Sequence, residues 1–146
     1  MRRLTDDPDP NVVSYIIEDD LGWVTATNSS KQLLIGYIFR KSDYPWLNLW
    51  RHVQNGHPLA RGLEFGTTGL HQPFPILAEK PRIFGRPTYA YLDAGSSAAR
   101  SYTAFQAKIP ADFAGVAAIA YANGAITIRE RGPQSRELSI KTGPLF

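Results

Sequence analysis

Apolar and polar residues alternate with a period of two along most of this chain. The clearest stretches are residues 46–53 and 99–109, where one set of alternate positions differs in polarity from the other. Such alternation is typical of β-strands whose two faces meet different surroundings. Other runs rich in β-forming residues are 12–18, 23–28, 33–40, 60–65, 88–92, 116–122, 125–131 and 136–141.

Short turn sequences separate these runs. Asn55-Gly56 and Asn123-Gly124 each join two of them, and an Asn-Gly pair readily takes the positive φ angles of a type I′ hairpin turn. The helix-like segment, 111–118, is rich in Ala, but Gly115 limits it to about one turn. Many short strands with Gly, Pro and Asn between them predict an all-β fold, an antiparallel sandwich or barrel.

Length and composition fit one globular domain over residues 1–146. Hydrophobic residues make up 43% and charged residues 20%, and no apolar run is long enough for a membrane span. The formal charge is +3 with Lys and Arg scattered, whereas a nucleic-acid binder concentrates them. Without cysteines, disulfides and thiolate chemistry are excluded. We expect a cytoplasmic protein with a small-molecule partner, and no nucleic-acid or membrane partner.

Glu64 is the carboxylate whose position suggests chemistry. Most other acidic residues fall in turns or at strand ends, whereas Glu64 lies inside an apolar run. Its neighbours on the same face of a strand are Gly62 and Gly66, so a ligand could approach the sheet there. The alternative is an outward-facing Glu on a half-exposed strand, and the spacing alone leaves both interpretations open.

Aromatic and amide side chains near Glu64 suit a sugar ligand. Trp46 and Trp50 could supply flat apolar surfaces, while Asn48, His71 and Gln72 could bind hydroxyl groups. His71 and Gln72 belong to a long segment, 67–86, and loops of that length are usually functional or mobile. The alternative for each aromatic residue is a place in the core.

Other common sites are not indicated. His52, His57 and His71 could form a metal site with an acid, but their spacings of five and fourteen are not those of neighbours on one strand. We therefore expect surface histidines, no metal and no cofactor. The sequence contains neither a phosphate-binding Gly-x-x-x-x-Gly-Lys motif nor a Gly-x-Ser-x-Gly nucleophile motif.

The order of these features resembles a known family. The strand rich in Trp and Asn at 44–52 precedes the motif Gly62-Leu63-Glu64-Phe65-Gly66-Thr67-Thr68, and the turn Leu92-Asp93-Ala94-Gly95 precedes a long alternating strand. This order resembles the C-terminal half of aldose 1-epimerase (galactose mutarotase)-like proteins. The resemblance implies an antiparallel β-sandwich, part of a supersandwich, that acts on the anomeric centre of a hexose. It implies that Glu64 is the general base and that His71 and Gln72 lie in the sugar-lining loop.

The chain also departs from that family. The resemblance covers residues 23–109, and Ser96 stands where an acid often follows the Gly of the turn. Family members are longer, and their N-terminal half supplies the general-acid His, which has no counterpart before Trp23. We therefore expect either a shortened relative or the C-terminal part of a larger protein, completed by homo-oligomerisation or by the missing half. The alternative functions are a non-catalytic carbohydrate-binding or interaction sandwich and a purely structural module.

Overall fold

The computed structural model describes residues 11–146, and nearly all of its regular secondary structure consists of antiparallel strands. Of these residues, 51% lie in strands and 4% in a helix. The all-β, antiparallel, sandwich-like fold is therefore confirmed, while the supersandwich of the epimerase family stays a prediction. Within the described part of the chain, no helix has both the length and the apolar character needed to cross a membrane.

The chain divides into two compact units. The first unit combines the described residues up to Gly22 with Arg40–Arg100, and the second combines Trp23–Phe39 with Ser101–Phe146. The prediction of one domain over residues 1–146 stays a prediction.

The second unit contains two three-stranded antiparallel sheets around one apolar core, except for Leu21, Gly22 and Arg40 of the first sheet, which belong to the first unit. The first sheet has the order β2 (Leu21–Asn28), β3 (Leu33–Arg40), β8 (Tyr102–Lys108), and the second has the order β11 (Glu137–Lys141), β10 (Ala125–Glu130), β9 (Val116–Ala122). The shared core comprises Leu34, Ile38, Phe105, Ile109, Phe113, Val116, Ile126 and Ile128. Alternate apolar positions on strands of both sheets supply much of this core, as the period of two predicts.

The Asn-Gly pairs form the predicted tight hairpins. Asn123 and Gly124 have φ angles of 52° and 73° between β9 and β10. Asn55 and Gly56 have nearly the same angles, 51° and 74°, in a two-residue connection in the first unit. Positive φ at both central residues is the signature of a type I′ turn. Both hairpins are therefore confirmed.

The first unit carries a sheet of the order β1 (Val12–Ile16), β4 (Trp46–Gln54), β5 (His57–Gly66). After β5 the chain forms a short helix, α1 (Phe74–Glu79), and then a small hairpin of β6 (Arg82–Ile83) and β7 (Arg86–Pro87). Both elements lie within or at the end of the segment predicted as a long loop. The helix begins where Pro75 can occupy the first turn, and it buries Leu77.

Two strand predictions need correction. Residues 88–92 form no strand, because buried Thr88 instead ties the loop together: its Oγ1 donates to the Lys80 carbonyl at 2.8 Å and its N–H to the Pro81 carbonyl at 3.0 Å. The strand predicted at 99–109 is shorter and begins at Tyr102. Its register runs from Leu33↔Lys108 to Phe39↔Tyr102, so the length of β3 limits that of β8.

The segment 111–118 forms no helix. The Phe113 N–H donates to the Pro110 carbonyl at 3.1 Å, which closes a single turn, and Gly115 has a φ of 106° that is not helical. β9 begins immediately afterwards at Val116. The expected limit of one turn is confirmed.

Candidate functional site

A row of polar side chains crosses the three-stranded sheet of the first unit. Ser14 on β1 is paired in register with Asn48 on β4, which is paired with Glu64 on β5. Directly paired residues place their side chains on the same face of a sheet. The sequence pattern of β4 and β5 thus brings an amide and a carboxylate together from residues sixteen apart in the chain.

Asn48 is the inner member of this row, and both polar atoms of its side chain make structural hydrogen bonds. Its side chain is only 7% exposed. Its Oδ1 accepts a hydrogen bond from Ser14 Oγ at 2.7 Å, and its Nδ2 donates to the Thr68 carbonyl at 3.2 Å. Asn48 therefore links the sheet to the segment that follows β5, which consists of residues 67–72 and is called the 67–72 loop below.

Glu64 is exposed and stands between two glycines on its face of β5. A Cβ added at Gly62 would lie 3.2 Å from Glu64 Oε1 and 3.2 Å from Trp50 Cε3, so the carboxylate extends over Gly62. A Cβ added at Gly66 would meet nothing nearer than the Thr68 N at 3.8 Å. The missing side chains thus leave the space that the sequence predicted around this carboxylate.

The 67–72 loop is held against the sheet by Trp46. A side chain at Gly69 would collide with the indole ring of Trp46, so the loop backbone lies directly on this ring. The indole Nε1 donates to the Pro87 carbonyl at 2.6 Å, and the Gly69 N–H donates to the Thr88 carbonyl at 2.9 Å. The loop is therefore fixed to both the sheet and the segment after β7.

The end of the loop turns sharply. Leu70 has a φ of 63°, an unusual conformation for a residue with a branched side chain, and the Gln72 N–H donates to the Leu70 carbonyl at 2.9 Å. His71 lies at the centre of this tight turn and is exposed. A strained backbone at a loop tip is held in place by surrounding contacts, and such positions cluster at functional sites.

An open cavity of about 550 Å³ lies between the polar row and this loop. Its walls are formed by Asn48, Glu64, Thr68, Leu70, His71, Gln72 and Pro73. The volume falls within the range of roughly 300–1,000 Å³ that small-molecule sites occupy. Four of the six residues expected at the site, from β4, β5 and the loop, are thus brought to one cavity.

The two tryptophans occupy other places. Trp46 is 2% exposed and supports the 67–72 loop from beneath. Trp50 is 37% exposed and stacks on His52, with ring centroids 5.6 Å apart and an interplanar angle of 14°. Neither tryptophan is among the residues that form the cavity walls. The apolar part of the wall comes instead from Leu70 and Pro73, which no pattern in the sequence indicated.

The wall chemistry suits a polyhydroxylated ligand. Glu64 can accept hydrogen bonds, His71 can donate and accept, and the Gln72 amide can do both. Among the wall residues between 11 and 146, Glu64 is the one carboxylate, and no Lys or Arg accompanies it. In the described part of the chain, His, Cys, Asp and Glu form no group of three or more that could hold a metal ion.

A buried acid of the second unit, Glu130, is committed to structure. Its side chain is 2% exposed and accepts hydrogen bonds from the Ala114 N–H at 2.7 Å and from Arg136 Nε at 2.5 Å. Arg136 also donates to Asp112 Oδ1 at 3.0 Å. The hydrogen bond from Arg136 lowers the pKa of Glu130 from 4.5 to about 2, against an opposing effect of burial. Glu130 thus links β10 to the loops that contain Ala114 and Arg136.

Comparison with known proteins gives no relative for this chain. No family model matches it, and neither the curated proteins nor the solved structures contain a match. The resemblance to aldose 1-epimerase-like proteins therefore stays a prediction that depends on the motifs around Glu64.

Proposed function

We propose that the Glu64 cavity binds a hexose and that the protein acts as an aldose 1-epimerase with Glu64 as general base. The observation that carries the proposal is the meeting of Glu64, His71 and Gln72 on one cavity of monosaccharide size. These residues come from a strand and from a loop that is pinned at several points. A fixed arrangement of a proton acceptor and hydroxyl-binding groups is what such a reaction requires.

In the proposed reaction only protons move between protein and sugar. The Glu64 carboxylate takes the proton of the anomeric hydroxyl, a carbonyl forms at C1, and the bond from C1 to the ring oxygen breaks. The ring oxygen receives a proton from an acid as it leaves. Rotation about the C1–C2 bond and closure by the reverse steps give the other anomer. Proton transfer of this kind contributes about 10²–10⁴-fold for each group.

His71 is the candidate for the proton donor. It is the one imidazole among the cavity-wall residues, which also include Glu64 and Gln72. The tight turn at Leu70 holds its backbone, so its position depends on the same contacts that shape the cavity. Gln72 would then bind ring hydroxyls.

We also propose that the protein acts in the cytoplasm.

Carbohydrate binding without catalysis is the second candidate function. The exposure of Glu64 favours it, because a carboxylate in contact with water accepts hydrogen bonds from sugar hydroxyls well but gains little reactivity from its surroundings. Both functions use the same cavity. They differ in whether removal of the carboxylate changes a reaction rate or an affinity alone.

Sugar titrations followed by backbone amide shifts test the binding that both functions share. With glucose or galactose, we expect saturable shifts at residues 64 and 68–72. Glu64→Gln should weaken binding about tenfold, the value of one charge-assisted hydrogen bond, whereas Glu79→Gln on α1 should leave it unchanged. Absence of saturable shifts in the wild-type protein would remove both functions.

A further inference from the structure

A second cavity of the first unit, of about 470 Å³, has a different chemical character. Its walls are formed by Asp20, Leu21, Arg40, Lys41, Ser42, Pro45, Arg86 and Pro87. None of these residues belongs to the wall of the Glu64 cavity. Among the described wall residues, three cationic side chains accompany one carboxylate, so this part of the wall carries an excess of positive charge.

The carboxylate of Asp20 is already paired. Lys41 Nζ lies 3.2 Å from Asp20 Oδ1 and donates to the Glu18 carbonyl at 2.6 Å. The Lys41 N–H also donates to the Asp20 carbonyl at 3.0 Å, which fixes both residues relative to each other. The Lys41 side chain is 23% exposed, while Asp20 is fully exposed. The charge of Asp20 is thus balanced by Lys41, and Arg86 adds a further positive charge to the wall.

Arg86 and Ser42 have unused donors. Within residues 11–146, the guanidinium of half-buried Arg86 donates to no carbonyl or carboxylate oxygen, and the hydroxyl of exposed Ser42 likewise has no hydrogen-bond partner. Both groups are therefore free to donate to an oxygen acceptor that enters the cavity.

The walls of the cavity are held in place by hydrogen bonds. The Pro87 carbonyl accepts from Trp46 Nε1, and the Pro45 carbonyl accepts from the Ile17 N–H at 3.0 Å. The turn that carries Lys41 and Ser42 is closed by the Tyr44 N–H, which donates to the Arg40 carbonyl at 2.9 Å. Little backbone ordering is therefore needed for a ligand to bind.

We propose that this cavity is a binding site for a phosphomonoester. Arg86 supplies a guanidinium group, whose planar donors match two oxygens of a phosphoryl group, and Ser42 supplies a hydroxyl donor. A phosphoryl group fills only part of 470 Å³. The remaining wall of Leu21, Pro45 and Pro87 is apolar and suits the organic part of the ester. The site is independent of the hexose proposal, because the two cavities share no wall residue.

Phosphate titrations of the full chain at constant ionic strength test this site, with inorganic phosphate and phenyl phosphate as probes. We expect saturable amide shifts at residues 41, 42 and 86 with both, and tighter binding of phenyl phosphate because its ring covers the apolar wall. Arg86→Gln should weaken binding about tenfold or more. Arg82→Gln should change it less than about twofold, since Arg82 is on the same hairpin but donates to the Gly85 carbonyl and is not a wall residue.

Two results would overturn the proposal. One is that the amide shifts with phosphate and phenyl phosphate show no saturation beyond that seen with chloride. The other is an equal loss in Arg82→Gln and Arg86→Gln, which would indicate diffuse attraction to a basic hairpin. Vesicles containing phosphatidic acid provide the comparison with a lipid headgroup. Weaker binding to these vesicles than to phenyl phosphate supports a small ester as the ligand. Binding to the vesicles alone contradicts the proposal. We expect no change in sugar binding in either variant. A failure of the phosphomonoester proposal can therefore be distinguished from a failure of the hexose proposal.

Discussion

Asn48 on β4 and Glu64 on β5 are direct cross-strand partners, yet their side chains do different work. The Asn48 amide is buried and bonded to Ser14 and to the Thr68 carbonyl, so it holds the 67–72 loop on the sheet. The Glu64 carboxylate is exposed at the cavity that this loop helps to form. In the proposed site Asn48 is therefore a positioning residue, and Glu64 is the group that meets the sugar.

Asn48→Ala should loosen the loop. The change leaves the Thr68 carbonyl and the Ser14 hydroxyl without their partner, and we expect the free energy of unfolding to fall by about 1–3 kcal/mol. Ser14→Ala removes only one of the two bonds and should cost less. Urea unfolding of both variants measures the difference, and equal stability losses would contradict the link between Asn48 and the loop.

Gly62→Ala should disturb the position of Glu64 more than Gly66→Ala does. The added methyl group at residue 62 would lie 3.2 Å from both Glu64 Oε1 and Trp50 Cε3, whereas at residue 66 the nearest atom is 3.8 Å away. We expect Gly62→Ala to weaken sugar binding several-fold and Gly66→Ala to leave it nearly unchanged. Amide-shift titrations with galactose compare the two, and the reverse order would show that the space over Gly62 is not used.

Glu130 should make stability depend on acid pH. Its pKa is lowered to about 2 in the folded protein, so its charged form is the one that the fold favours. The stabilisation is present above pH 4.5, the ordinary pKa of a glutamate side chain. It is lost as the pH falls from 4.5 through about 2, the pKa of Glu130 in the folded protein. Thermal unfolding of wild type and Glu130→Gln at several pH values should show the difference in Tm shrinking over this range.

Glu137→Gln is the matched control for that pH dependence. Glu137 is an exposed acid on β11, seven residues after Glu130. The Tm of the Glu137→Gln variant should follow that of the wild type at every pH. A constant difference between Glu130→Gln and wild type from pH 7 to pH 2 would show that the charge of Glu130 is not what Arg136 stabilises.

Gly124→Ala should destabilise the β9–β10 hairpin by about 1–2 kcal/mol, because Gly124 has a φ of 73° where a side chain strains the backbone. Gly143→Ala is the comparison, since a Cβ there meets nothing within 4 Å and no positive φ occurs. Chemical unfolding measures both. Equal stability of the two variants would contradict the requirement for glycine in this turn.

Local signals predicted most of the strands. β3 at Leu33–Arg40 and β9 at Val116–Ala122 have the bounds of the runs predicted from their β-forming residues. The Asn-Gly pairs were sufficient for the hairpins, because the need for positive φ at two adjacent residues is local. The Gly-Glu-Gly pattern at 62–66 likewise indicated the open space around Glu64, since only the period of two was needed for that inference.

Long-range contacts decided what the sequence could not. Thr88 looked like the start of a strand, but its bonds to the Lys80 and Pro81 carbonyls depend on how α1 and the β6–β7 hairpin fold back. Trp46 was expected at the sugar, and it instead lies under Gly69 because the loop returns across β4. Leu70 and Pro73 became wall residues through the same return of the chain, for which the sequence offers no periodic signal.

The rate of mutarotation, followed by polarimetry with freshly dissolved α-galactose or α-glucose, tests the central proposal most directly. We expect the wild-type rate above buffer to rise in proportion to protein concentration. Glu64→Gln should reduce this catalysed rate by about 10²–10⁴-fold with unchanged circular dichroism, and Glu79→Gln should retain it. A catalysed rate that survives in Glu64→Gln, or a wild-type protein that binds the sugar without accelerating the reaction, would contradict Glu64 as the catalytic base.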